Sequence, residues 1–75
     1  MRGYSQNIIE ANEDAGDSIG VYLGKILIEY RYPAAEAAKE LDVSRQTVYD
    51  WITGRTTPYK AKHEIIKRLI AKVKS

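Results

Sequence analysis

The strongest constraint on this chain is helical periodicity cut into short lengths by breakers. Ile19, Tyr22, Leu23, Ile26, Leu27 and Tyr30 recur three and four residues apart, the spacing of one helical face. Ile65, Ile66, Leu69, Ile70 and Val73 repeat the pattern near the C-terminus. Pro33, Gly54 and Pro58 stand between the two stripes. Proline pushes the residue before it out of helical geometry, and glycine takes up the left-handed conformation that ends helices. Several short helices must therefore share one small core. With 75 residues the chain makes at most one domain, and its core is small for its surface. The expected fold is all-α, a compact bundle of four to five helices.

The signals set the expected boundaries. Asp17 or Ser18 can cap the helix that begins at Ile19, because a side-chain oxygen accepts from unsatisfied amides of the first turn. Pro33 suits the first turn of the next helix, Ala34 to Leu41. Ser44 caps Arg45 to Thr53, Gly54 closes it, Arg55 to Pro58 form a loop, and Tyr59 to Lys74 form the last helix. Gly20 and Gly24 each weaken their helix by about 1 kcal/mol relative to alanine. They mark either close approach of another backbone or an exposed face indifferent to side chains. Residues 1–16 read as a flexible acidic arm, with at most one short helix from Ser5 to Ala11; residues 17–75 are the folded domain.

Charge is unevenly placed. Residues 1–17 carry a net −3 and residues 53–75 a net +6, although the whole chain is only +2. That asymmetry points to a polyanionic partner, or to a C-terminal helix that uses lysine for solubility. The acidic residues read as a solubilising tail or as a mask over the basic end. There is no cysteine, so no disulfide or thiolate metal site is expected. No apolar run reaches the length of a membrane span, and no membrane partner is expected. His63 is the only histidine, and Glu36 and Glu40 lie four apart on a helix without a pocket. No Gly-rich phosphate loop and no nucleophile–base pair is present. Catalysis, a metal, a cofactor and a small-molecule substrate are all unexpected.

Function rests on Ala34 to Thr53, AAEAAKELDVSRQTVYDWIT. Ala38 is small where two helices would approach most closely. Ala37 and Leu41 give the first helix an apolar face, Val43 plugs the turn, and Val48 and Trp51 face inward from the second. This stretch resembles the helix-turn-helix of the phage Cro and repressor-like DNA-binding family, closely over these twenty residues and loosely over Gly54 to Pro58. The resemblance implies a lambda repressor-like fold and double-stranded DNA as partner. It also implies a small Cro-like transcriptional regulator, probing the major groove with helix 45–53 as a homodimer on DNA. It places the protein in the cytoplasm of a bacterial or phage-infected cell, at the nucleoid. The family usually has glycine in the turn where this chain has Asp42. Aspartate tolerates the left-handed conformation better than most residues.

The same resemblance directs the outward positions of the second helix to base edges: Ser44, Arg45, Gln46, Tyr49 and Asp50. Arg45 can pair with guanine and Gln46 with adenine; Asp50 can accept from cytosine or orient Arg45 or Arg31. Phosphate contacts are expected from the Ala35 and Glu36 amides at a helix N-terminus, and from Thr53, Arg55, Thr56, Thr57, Tyr59, Lys60 and Lys62. Lys72 and Lys74 read as solvated. The last helix, through Ile66, Leu69, Ile70 and Val73, or the Ile8–Ile9 pair, are the candidate dimer surfaces unless the monomer core uses them. Two alternatives share the helix pair: a phage module for recombination or packaging, of excisionase or small-terminase type, and a protein-binding inhibitor of the transcription machinery.

Overall fold

A computed structural model describes residues 4–75; Met1, Arg2 and Gly3, the start of the expected arm, lie outside the described residues. Among the described residues the secondary structure is all helical. Its helices are α1 (Gln6–Asp14), α2 (Ile19–Glu29), α3 (Ala34–Leu41), α4 (Arg45–Ile52) and α5 (His63–Lys74), with one 3-10 turn at Lys60–Lys62. Serine starts three of them. The Oγ atoms of Ser5, Ser18 and Ser44 accept from the amides of Ile8, Val21 and Thr47. None of the helices is long and apolar enough to cross a membrane.

The core is built from Leu23, Ile26 and Leu27 of α2, Ala37, Ala38 and Leu41 of α3, Val48, Trp51 and Ile52 of α4, and Ile66, Leu69 and Ile70 of α5. The α2 stripe is rotated from its sequence expectation. Gly20, Val21 and Gly24 are buried, whereas Tyr22 and Tyr30 remain exposed. On this side the two glycines let α4 lie directly against α2. A Cβ at Gly20 would come within 2.9 Å of the Trp51 Cβ, and one at Gly24 within 2.7 Å of Ile52 Cγ2. Close backbone approach, not an indifferent surface, accounts for both.

The segment read as a loose arm is folded from Ser5 onward. α1 rests on α2 and α4, with Ile8 packed against the core. Asn12, buried at 2% exposure, anchors it. The Asn12 amide donates to the Val21 carbonyl at 3.0 Å and to the Ile52 carbonyl at 2.8 Å. A buried amide left without partners would be costly; here both donors are satisfied.

The apolar face of α5 is likewise consumed. Ile66, Leu69 and Ile70 are buried, and Ile65 and Val73 are half-buried against the same core. The stripe nominated as a dimer surface is therefore interior, and Ile8 of the N-terminal pair is packed inward as well.

Candidate nucleic-acid interface

Two left-handed residues other than glycine shape the region around α3 and α4. Arg31 has φ 56° and Asp42 has φ 58°. Each ends a helix in the same way. The amide after it reaches back to a carbonyl five residues earlier, Tyr32 to Leu27 at 2.9 Å and Val43 to Ala38 at 3.0 Å. Asp42 therefore takes up the left-handed conformation that glycine usually supplies at a helix end, and it is exposed. Val43 follows, half-buried against the core. The turn holds α3 and α4 together through Ala38, Leu41, Val48 and Trp51.

Pro33 is the N-cap of α3 rather than part of its first turn, and it supplies no side-chain cap. The first-turn amides of Ala34, Ala35 and Glu36 are left without one, although Ala34 itself is buried. Uncapped amides and the positive end of a helix dipole favour an anion. The carboxylate of Glu36 turns to Lys39, 3.9 Å away.

On α4 the expected base-reading residues divide by the company they keep. Arg45 is exposed and takes part in none of the ion pairs among the described residues. Ser44 is spent on capping, its Oγ 3.1 Å from the Thr47 amide and 2.9 Å from Thr47 Oγ1. Gln46 donates from Nε2 to Asp50 Oδ1 at 3.0 Å. Asp50 lies 3.9 Å from Arg55 Nε, and its carbonyl accepts from the amides of Arg55 and Thr56. Asp50 thus orients Gln46 and Arg55, not Arg45 or Arg31. Tyr49 is half-buried, with its ring edge-on to Tyr4 at 6.4 Å. The Tyr4 hydroxyl in turn donates to the Tyr32 carbonyl, and burial raises its pKa. Nothing in the sequence linked residues 4, 32 and 49, which meet only when α1 docks.

The expected phosphate contacts divide likewise. Arg55, Thr56, Thr57, Tyr59 and Lys60 are exposed. The Thr53 hydroxyl closes α4 by donating to the Tyr49 carbonyl at 2.8 Å. Lys62 is redirected: its Nζ donates to the Leu41 carbonyl at 2.8 Å and so caps α3. His63 Nε2 is 3.1 Å from the Pro58 carbonyl, which makes it part of the loop's scaffold. Lys72 is not simply solvated. It pairs with Glu40, which also accepts from the Tyr32 hydroxyl at 2.7 Å. The Lys72 ammonium, then the Tyr32 hydroxyl, hold the Glu40 carboxyl below its usual range.

Beside α4 runs a shallow groove of about 300 Å³. Ile8 and Ala11 of α1 face Gln46, Tyr49, Asp50 and Thr53 across it, with Arg55 also on its wall. The acidic residues Glu10, Glu13 and Asp14 are exposed on α1, the helix next to α4. No protein-family model, no curated protein and no solved structure matches the chain.

Proposed function

We propose that this protein binds double-stranded DNA in a sequence-specific manner and regulates transcription, with α4 entering the major groove. One observation carries the reading. The left-handed turn at Asp42 fixes two short helices so that α4 buries Val48, Trp51 and Ile52 and leaves Arg45 and Gln46 exposed. A major groove about 12 Å wide admits one such helix. The uncapped first turn of α3 and the exposed Arg55 and Lys60 supply phosphate contacts that set register.

The protein acts as a Cro-like repressor, by occupying an operator. Two copies sit on half-sites about one helical turn apart. Because α5 spends its apolar face on the core, the spacing of the half-sites, rather than that helix, brings the copies into register.

The test is selection from a random duplex library with wild type and Arg45→Ala side by side. The wild type is expected to enrich a palindromic motif. Arg45→Ala is expected to lose one specified base, a discrimination of about 1–3 kcal/mol, with the rest intact. Affinity should fall steeply with salt as neutralised phosphates release counterions. A folded wild type that enriches no motif refutes the reading.

A further inference from the structure

We infer that Asp50 is a positioning residue that locks the Gln46 amide in the orientation that reads adenine, and is not itself a base reader; this rests on the DNA-binding reading above. The argument begins with the amide's inventory. Gln46 Nε2 carries two hydrogens, and Oε1 carries two lone pairs. One hydrogen lies on the same edge as Oε1, and the other points away from it. Adenine in the major groove presents an acceptor at N7 and a donor at N6, so it takes one donor and one acceptor from a single amide edge.

The carboxylate of Asp50 settles how that edge is used. Asp50 Oδ1 accepts from Gln46 Nε2 at 3.0 Å. A carboxylate is acceptor-only when ionised, so it fixes Nε2, never Oε1, on its own side. The hydrogen that points away from Oε1 can serve the carboxylate. Oε1 and the remaining hydrogen then stay free on one edge, the pair that adenine requires. Guanine offers two acceptors to the same edge and is rejected, because Oε1 would face O6.

Asp50 is itself held. Its side chain is 26% exposed, Arg55 Nε lies 3.9 Å from Oδ1, and the Asp50 carbonyl accepts from two amides of the following loop. Arg55 also offsets the negative charge that Asp50 brings to a surface meant for phosphates. The residues four apart on one helix face are Gln46 and Asp50, and the loop that follows adds Arg55. The reader, its orienting group and that group's counter-charge thus come from ten consecutive residues.

The experiment extends the binding selection to Gln46→Ala, Asp50→Ala and the double variant. Wild type should require adenine at one base pair of each half-site. Gln46→Ala and Asp50→Ala should each flatten that position, on the order of tenfold, and leave the other positions as they were. The double variant should be no worse there than Gln46→Ala alone, since Asp50 acts only through Gln46. Retained preference elsewhere shows that each variant is folded. Asp50→Ser, which cannot reach Gln46, gives the same readout should the alanine variant not fold. The inference is overturned, with DNA binding standing, by two results. One is an adenine preference that Asp50→Ala leaves intact. The other is loss of a cytosine preference at a different base pair, which would make Asp50 a reader. A wild type without any motif overturns the functional reading and this inference together.

Discussion

Replacing Gly24 by alanine is the sharpest test of how this bundle closes. In an exposed helix the change would stabilise by about 1 kcal/mol, because alanine is the better helix former. Here the new Cβ would lie 2.6 Å from Asn12 Nδ2, 2.7 Å from Ile52 Cγ2 and 3.0 Å from Ile52 Cβ. Asn12 can swing aside only by giving up its bonds to the Val21 and Ile52 carbonyls. The Ile52 Cβ is fixed to the α4 backbone, so relief there means moving the helix. Overpacking a filled core costs about 1–3 kcal/mol, and stranding a buried amide costs about 1–3 kcal/mol more. After the propensity gain, a net loss of about 3 kcal/mol remains. A chain of this length has a total stability of about 4–11 kcal/mol. At about 4–8 °C per kcal/mol, the melting temperature should fall by about 10–25 °C. Thermal melts followed by circular dichroism, with urea titrations alongside, measure it. The cost should shrink in an Asn12→Ala background, where the nearest clash is gone. A Gly24→Ala protein that melts at or above wild type would show that α2 and α4 do not meet at this glycine.

Three further outcomes follow from the geometry. Asp42→Val should cost about 1–3 kcal/mol in urea unfolding, because a β-branched residue is forced to φ 58°, while Asp42→Gly should not destabilise; equal midpoints for valine and aspartate would contradict the left-handed turn. Lys60→Ala should reduce the slope of log affinity for DNA against log salt by about one, whereas Lys62→Ala should leave that slope unchanged and lower stability, since its ammonium caps α3. The Glu40 carboxyl is held below its usual range by Lys72 and Tyr32, so its stabilisation is present above the ordinary value near 4.3 and is lost as pH falls through the lowered one. The stability gap between wild type and Glu40→Gln should therefore close on acidification below about pH 4; a gap constant from pH 6 to 3 would remove Glu40 from the account.

Much of the fold was legible because its signals are local. Ser18 and Ser44 cap, Gly54 stops a helix at φ 77°, and the residues from Ala37 to Trp51 pack as their spacing implied. What was not legible depends on distant partners. Spacing alone could not say whether Gly20 and Gly24 meet a helix or water, since the answer lies with Trp51, Ile52 and Pro58. Tyr22 fits an apolar stripe as well as Leu23 does, and only the docking angle of α2 puts it outside. Asn12 carries no periodic signal, because a polar residue is buried here for two carbonyls that no pattern reveals. At the candidate site the sequence named the outward residues of α4 but not their alliances. The bond from Gln46 to Asp50 fits an i, i+4 pair and could have been sought; the capture of Lys62 by Leu41, 21 residues apart, could not.

The two bonds of Asn12 also bear on the order in which the chain assembles. Its partner Val21 lies nine residues away and its partner Ile52 forty. The first can form as soon as α2 exists. The second closes a long loop and must wait until α4 is in place, since distant contacts carry an entropic cost that neighbouring ones do not. α1 precedes α4 in the chain, yet its bond to Ile52 cannot form until α4 has followed it. The contact that seats α1 runs to the end of α4, so the placement of the N-terminal helix and that of the proposed DNA-reading helix are tied to each other.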